Sequence, residues 1–108
     1  MDFVKRPDAK RILTAEAMKI WRDHKEAVFI DVRTPAEYSE GHVPGALLIP
    51  LNQLETRLNE IPRDKIVLFI CQSGYRSHRA NLIAQENLFD NTYMVEGGMI
   101  DWQDEIEK

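Results

Sequence analysis

The sequence has little cysteine, little basic charge and no long apolar run. Its only cysteine among 108 residues is Cys71, which excludes an internal disulfide and indicates a reducing compartment. No stretch approaches the ~20 apolar residues that a membrane-spanning helix needs, and no charged segment followed by an apolar one forms a leader. We therefore expect a cytoplasmic protein that does not bind a membrane.

The charges and the histidines exclude two further classes of protein. With 14 Lys and Arg against 18 Asp and Glu, the net charge is −4 and no basic block is present, which argues against nucleic acid as a partner. One cysteine and three widely spaced histidines match no zinc-ligand spacing, so we expect no metal and no other cofactor. The length suits one domain, and we assign residues 12–108 to it and residues 1–11 to a loose lead-in.

The most informative stretch surrounds the cysteine. The apolar run Ile66–Ile70 is too short for a helix and is mostly β-branched, which predicts a strand buried on both faces. A polar turn follows Cys71, and the pattern then becomes helical, with four apolar residues on one face: Ala80, Ile83, Ala84 and Leu88. Cys71 is therefore predicted to lie between the C-terminal end of a strand and the N-terminus of a helix.

This position favours nucleophilic chemistry. Unpaired N–H groups at a helix N-terminus attract anions and, with neighbouring cations, favour the reactive thiolate form of a cysteine. The first turns of the predicted helix contain three basic side chains, Arg76, His78 and Arg79, and no acidic one, although the helix dipole would stabilise an acid there. A lone cysteine after an apolar strand is more often a small buried hydrophobe. Because Gly74 can adopt the positive φ that turns loop N–H groups toward an anion, we predict that Cys71 is a nucleophile.

A second strand is expected to place charged residues at the same edge of the sheet. The run Ala27–Val32 predicts a buried strand, and Asp31 and Arg33 lie at its C-terminal end. The C-terminal ends of parallel strands share one edge, so we expect this pair near Cys71. A structural ion pair is the more common explanation for such residues, and a functional role is the alternative.

The rest of the chain alternates helices and strands. A capping box at Thr34, Pro35 and Glu37 predicts a short helix that ends at Gly41, and His42 in the next turn is interpreted as structural. The other expected elements are an edge strand around Ile12 and Leu13, a helix from an N-cap at Thr14 to His24, a strand at Leu47–Ile49, a helix over Leu51–Ile61 and a strand at Thr92–Val95. Gly97 and Gly98 are expected to let the backbone pass close to the cysteine loop. A closing helix should then have Met99, Trp102 and Ile106 on one face. This alternation predicts an α/β domain with a mainly parallel sheet and helices on both faces.

The cysteine loop and three other stretches resemble a known family. The pattern Cys-x-x-Gly-x-Arg after a strand is similar to the active-site loop of single-domain rhodaneses, which are sulfurtransferases that carry sulfane sulfur as a cysteine persulfide. The stretches DVRTPAEY at 31–38, GHVPGA at 41–46 and EGGMIDW at 96–102 agree with the family in the same order. The resemblance implies five strands in the order 1-5-4-2-3. It also implies a site with Cys71 as the catalytic residue, a substrate-binding loop of Gln72, Ser73, Gly74, Tyr75 and Arg76, and supporting residues Asp31 and Arg33.

The resemblance implies a transfer of sulfane sulfur from a donor such as thiosulfate to cyanide or a thiol, by a ping-pong mechanism through a Cys71 persulfide. Arg76 and the loop N–H groups are expected to hold the anion. With one cysteine in the chain, the acceptor must be external, and it could be another protein.

Two alternatives remain open from the sequence. A phosphatase or arsenate reductase uses a related cysteine loop with the arginine one residue later, whereas four residues separate Cys71 from Arg76 here. A sulfur carrier that serves one protein partner is the other alternative. Activity that depends on a partner would distinguish the carrier from a free-standing enzyme.

Overall fold

The computed structural model describes residues 10–108, which contain one sheet of five parallel strands. The strands are β1 (Arg11–Leu13), β2 (Val28–Asp31), β3 (Leu47–Leu48), β4 (Val67–Ile70) and β5 (Thr92–Glu96). Their order is β1-β5-β4-β2-β3, and each neighbouring pair is parallel. The α/β fold class and the strand order implied by the resemblance are confirmed. Residues 1–9 of the expected lead-in lie outside the described residues, and β1 begins at Arg11.

Strand β4 lies in the middle of the sheet and leads to Cys71. All four of its residues are fully buried, as expected for a strand covered on both faces. Val67 and Phe69 contribute to the core on one face, and Leu68 and Ile70 contribute to the core on the other. The apolar run therefore marks the strand that carries the site, although its first residue precedes β4 and is exposed.

Helices cover both faces of the sheet, as predicted. They are α1 (Thr14–Asp23), α2 (Pro35–Ser39) and α3 (Tyr75–Glu86). Ala80 and Ala84 bring α3 against the core that contains Phe69, whereas Ala17 brings α1 against the opposite core. Among residues 10–108, no helix has the length and apolar composition that crossing a membrane requires.

The segment from Leu51 to Ile61 is not the single amphipathic helix that its pattern predicted. It forms two 3₁₀ helices, Leu51–Thr56 and Leu58–Glu60. Leu51 and Leu54 are three apart in the first part, and a 3₁₀ helix places such residues on one face. Ile61 follows the second part with an extended backbone. Leu54 and Ile61 are both buried, so the burial of these apolar residues was predicted correctly although the type of helix was wrong.

The predicted closing helix is also wrong beyond its first turn. Only Gly98–Asp101 is helical, as a 3₁₀ turn, and Trp102 has an extended backbone conformation. The indole N–H of Trp102 donates to the carbonyl of Glu105 at 2.8 Å, and Glu107 pairs with His42 as an antiparallel bridge. The chain after Asp101 is therefore not helical, and Ile106 is exposed.

Two residues of the predicted helices have other roles. Thr14 is buried, and its hydroxyl lies 3.0 Å and 3.2 Å from the carbonyl oxygens of Glu96 and Gly98, while Leu13 occupies the N-cap position. The Thr14 side chain therefore connects α1 to the end of β5 and does not cap the helix. Leu88 was expected on the buried face of α3, but it follows the helix with φ of 70° and is exposed.

Candidate active site

Cys71 lies at the C-terminal end of β4 and is only 1% exposed. Its Sγ accepts hydrogen bonds from the backbone N–H of Gly74 at 3.1 Å and from that of Ser77 at 3.3 Å. The hydroxyl of Ser77 lies 3.6 Å from the same sulfur. Two backbone donors that converge on one buried sulfur favour a negative charge on that atom.

The loop that makes this arrangement depends on Gly74. Its φ of 112° lies in the left-handed region, which a side chain would disfavour. Helix α3 begins at the next residue, so the positive end of its dipole lies beside the sulfur. The Ser77 hydroxyl donates to the Gly74 carbonyl at 3.0 Å and holds the turn in shape. The predicted placement of Cys71 between a strand and a helix N-terminus is therefore observed.

A glycine pair holds the loop from the other side, as the sequence predicted. The backbone N–H of Met99 donates to the Cys71 carbonyl at 2.8 Å, and that of Ile100 donates to the Gln72 carbonyl at 3.0 Å. A Cβ atom at Gly98 would lie against both carbonyl oxygens, at 2.6 Å from that of Gln72. Only glycine allows the two backbones to approach this closely.

Asp31 and Arg33 form a buried ion pair at the same edge of the sheet. The guanidinium donates to the carboxylate through Nε at 2.9 Å and through Nη2 at 2.8 Å. Nη2 also donates to the Gly41 carbonyl at 2.8 Å, and Nη1 donates to the side-chain oxygen of Gln72 at 3.2 Å. The pair therefore holds the side chain of Gln72, the residue after Cys71, which is the role of a structural ion pair.

The structure shows a second ion pair that sequence reasoning missed. Arg76 donates to both carboxylate oxygens of Glu37, at 2.8 Å and 2.9 Å. This hydrogen bonding is the main reason that the pKa of Glu37 falls from 4.5 to about 2, against the opposing effect of burial. The same contact raises the pKa of Arg76 above its ordinary value. Glu37 lies 39 residues away from Arg76, and only its part in the capping box was visible in the sequence.

This ion pair changes the expected role of Arg76. The sequence predicts that the guanidinium binds an anion in the loop, whereas its two outer nitrogens are bound to a carboxylate of α2. The pair fixes the first turn of α3 to the N-terminus of α2. Arg76 therefore contributes to the position of the loop, and the two N–H groups on Sγ remain the direct donors.

The remaining loop residues form the rim of the site, and a groove lies on each side. Gln72 and Ser73 are exposed, and Tyr75 is 74% exposed. The first groove has a volume of about 470 Å³ and is lined by Arg33, Glu37, Glu40, Gly41, Gln72, Met99, Trp102 and Ile106. The second groove has a volume of about 480 Å³ and is lined by Val32, Arg33, Thr34, Pro50, Leu51, Asn52, Glu55, Arg76, Arg79 and Ile83. The Glu37–Arg76 pair lies between them.

His42 has a structural environment, in agreement with its interpretation from the sequence. Its ring is buried and stacks on the ring of Tyr38, with centroids 3.6 Å apart and planes at 3°. Its Nδ1 donates to the Tyr38 carbonyl at 2.8 Å. Among residues 10–108, no group of three or more His, Cys, Asp or Glu side chains is arranged to hold a metal ion.

Comparisons with known proteins identify the family of the chain. The family model for the rhodanese-like domain matches residues 14–105, and the chain therefore belongs to the rhodanese-like domain family. A sulfurtransferase of Allochromatium vinosum is 35% identical over 80 residues, which cover 74% of this chain and 75% of that protein. The tRNA uridine(34) hydroxylase of Erwinia tasmaniensis is 33% identical over 101 residues, but these are only 29% of its length. The crystal structure of a rhodanese-like domain protein from Staphylococcus aureus superimposes with a TM-score of 0.83 at 34% identity, covering 91% of this chain and 96% of that one.

Proposed function

We propose that the chain is a sulfurtransferase that carries sulfane sulfur on Cys71 as a persulfide. The observation that carries this proposal is the pair of backbone N–H groups, from Gly74 and Ser77, that converge on the buried Sγ. The name of the Allochromatium relative supports the same reaction class. In the hydroxylase relative the matching region is less than a third of the length, so its name gives no support for hydroxylation by this chain.

The first half of the reaction loads the cysteine. The Cys71 thiolate attacks the outer sulfur of a sulfane-sulfur donor, of which thiosulfate is the simplest example. A bond forms between Sγ and that sulfur, while the sulfur–sulfur bond of thiosulfate breaks and its electron pair leaves on sulfite. The convergent N–H groups and the dipole of α3 stabilise the negative charge on the persulfide.

The second half of the reaction unloads it. An acceptor such as cyanide or a thiol attacks the outer sulfur of the persulfide, and the electron pair of the broken bond returns to the Cys71 thiolate. The chain has no second cysteine that could take this sulfur, so the acceptor comes from outside. A reducing compartment such as the cytoplasm would keep Cys71 reduced between cycles, and this location remains a prediction.

The geometry favours sulfur transfer over the phosphatase and arsenate reductase chemistry. Those reactions need donors for several oxygen atoms of a tetrahedral anion. Here the loop offers two backbone donors to a single sulfur atom, and the guanidinium of Arg76 is bound to Glu37. Both of these donors bind the Cys71 sulfur itself, which supports chemistry at a sulfur atom.

A carrier that delivers sulfur to one protein partner is a second form of the same proposal. Two large apolar side chains beside the loop favour it, because Tyr75 is 74% exposed and Ile100 is 64% exposed. Exposed apolar groups next to a reactive atom are typical of a surface that a partner covers. Activity that rises strongly when one partner protein is added would favour the carrier over a free-standing enzyme.

Intact mass spectrometry tests the proposal directly. The protein is incubated with thiosulfate and, separately, with benzenethiosulfonate, and the Cys71→Ser variant is the matched control. We expect a gain of one sulfur on the wild type with at least one donor and no gain on the variant, because a serine hydroxyl is a poor sulfur nucleophile. A wild type that gains no sulfur from either donor, or a variant that gains as much, would refute the role of Cys71.

A further inference from the structure

A buried hydroxyl at the start of α1 contacts the turn that follows β5. Thr14 is only 3% exposed, and its hydroxyl lies 3.0 Å from the carbonyl oxygen of Glu96 and 3.2 Å from that of Gly98. These acceptors are 82 and 84 residues away in the chain, on either side of Gly97. The hydroxyl has one proton, which it can donate to either oxygen. Thr14 therefore anchors the turn of residues 96–98 to α1.

The contact between Thr14 and this turn is tight. Gly97 has a φ of 96°, and a Cβ atom added to it would lie 2.9 Å from the hydroxyl oxygen of Thr14. The hydroxyl therefore packs directly against the backbone of Gly97, which only a residue without a side chain allows. Removing the hydroxyl would take away both a buried hydrogen bond and the contact that fixes the position of Gly97.

Residues 97–99 contact the cysteine loop at two points. A Cβ atom added to Gly74 would lie 3.7 Å from the backbone nitrogen of Gly97, so the backbones of the two glycines pack together. The backbone N–H of Met99 donates to the carbonyl of Cys71 at 2.8 Å. Gly74 is also the residue whose N–H donates to Sγ at 3.1 Å. The turn therefore connects Thr14 to one of the two backbone donors on the sulfur.

We propose that Thr14 is a positioning residue for Cys71, although it does not touch the sulfur. Its hydroxyl holds the turn of residues 96–98 against the loop, and the loop then keeps the N–H of Gly74 directed at Sγ. A hydrogen bond to the sulfur favours its charged form, so the loss of this support should lower the reactivity of Cys71. The inference rests on the proposed function, because the group that Thr14 positions is the proposed nucleophile.

Thr92 provides a matched control in the same strand. It is fully buried, and its hydroxyl donates to the side-chain oxygen of Asn81 at 2.6 Å. Thr92 begins β5 and pairs with Val67 at the start of β4, whereas Cys71 lies four residues further along, about 13 Å away. Removing the Thr92 hydroxyl therefore breaks a buried hydrogen bond of the same kind at the opposite end of the sheet from the cysteine loop.

Alkylation of Cys71 by iodoacetamide measures the thiolate without any sulfur donor. The rate constant is followed by intact mass from about pH 5 to about pH 10 for the wild type and each variant, with Cys71→Ser as the background. Thr14→Ala removes the hydroxyl without placing a methyl group against the two carbonyls, and Thr14→Ser keeps the hydroxyl. Thr14→Val retains the volume of the side chain and replaces the alanine variant if that variant does not fold. Thr92→Ala is the control, and urea unfolding measures the stability of every variant.

The expected result is a change in the pH profile and not only in stability. At pH 7, relative to the rate at high pH where the thiolate is complete, Thr14→Ala should react about fivefold more slowly than the wild type, as weakening of one hydrogen bond predicts. The rate at high pH corrects for access to the buried sulfur. Thr14→Ser and Thr92→Ala should follow the wild-type profile, although Thr92→Ala loses stability. Loading of Cys71 from benzenethiosulfonate should slow by a similar factor in Thr14→Ala.

Three results would overturn the inference. The first is a folded Thr14→Ala or Thr14→Val variant with the wild-type profile. The second is a Thr14→Ser variant as slow as Thr14→Ala, because the hydroxyl would then not be the cause. The third is an equal change in Thr92→Ala, because the loss of any buried hydrogen bond would then suffice. A wild type that gains no sulfur from thiosulfate or benzenethiosulfonate would instead refute the proposed function, while the alkylation profiles would still decide whether Thr14 positions Cys71.

Discussion

Replacing Glu37 by glutamine should weaken the fold at neutral pH and should matter less as the pH falls. Glutamine has nearly the same shape and also fits the third position of a capping box, so the change mainly removes the charge that faces Arg76. The first turns of α2 and α3 are joined by this pair, through contacts of 2.8 Å and 2.9 Å.

The magnitude follows from the pKa of Glu37. Its fall from 4.5 to about 2 would correspond to at most about 3.4 kcal/mol of folding free energy, since a difference of one in pKa is worth ~1.4 kcal/mol. The side chains of Arg76 and Glu37 are 29% and 32% exposed, so solvent screening reduces this contribution. We expect Glu37→Gln to lower the free energy of unfolding by about 1–2 kcal/mol at pH 7.

The direction of the pKa shift determines the pH range in which Glu37 stabilises the fold. Because folding lowers this pKa, the stabilisation is complete above pH 4.5 and is lost as the pH falls toward 2. Urea unfolding of the wild type and of Glu37→Gln from pH 7 to pH 3 measures the difference between their free energies of unfolding. The contributions of titrating groups that both proteins contain cancel in this difference. The difference should stay constant down to about pH 5 and then decrease.

Glu60→Gln is the matched control. It removes one carboxylate from an exposed pair with Arg57 and should change the unfolding free energy less than Glu37→Gln does. A difference for Glu37→Gln that does not vary between pH 7 and pH 3, or one no larger than that of the control, would refute the reasoning.

Two further substitutions test the supports of the loop. Arg76→Lys should slow sulfur transfer several-fold and destabilise the fold despite the conserved charge, because an ammonium lacks the planar fork that binds the two oxygens of Glu37 through two nitrogens. Unfolding and loading rates like those of the wild type would contradict this. Gly98→Ala should cost about 2–4 kcal/mol in urea unfolding, since its Cβ would meet the carbonyls of Cys71 and Gln72 at a φ of 54°. Gly45→Ala, at a φ of 87° in open space, is the control and should cost only about 1–2 kcal/mol; equal losses would exclude the contact as the cause.

The reactive loop could be predicted because its causes are local in the sequence. The apolar run before Cys71 predicts β4, and Gly74 predicts the turn that directs two N–H groups to the sulfur. The capping box at Thr34 and Glu37 is likewise a pattern within four residues, and the structure contains it.

Features that depend on distant partners could not be predicted in the same way. The Glu37–Arg76 pair joins residues 39 positions apart, and no spacing rule connects them. Thr14 satisfies the rule for an N-cap, but its hydroxyl contacts carbonyls at the end of β5, and tertiary contacts overrode the local preference. The bridge between His42 and Glu107 is likewise a long-range contact, and it explains why the chain after Asp101 is not helical.

The two hydrogen bonds from Met99 and Ile100 to the loop carbonyls also determine the direction of the loop dipoles. In a planar trans peptide the N–H points opposite to the C=O, so holding the Cys71 carbonyl toward Met99 and the Gln72 carbonyl toward Ile100 turns the N–H groups of Gln72 and Ser73 the other way. The carbonyl oxygens, which would repel a negative sulfur, are thus occupied before any donor arrives. The first two peptide groups after Cys71 are thus held in one orientation by a segment that lies outside the reactive loop.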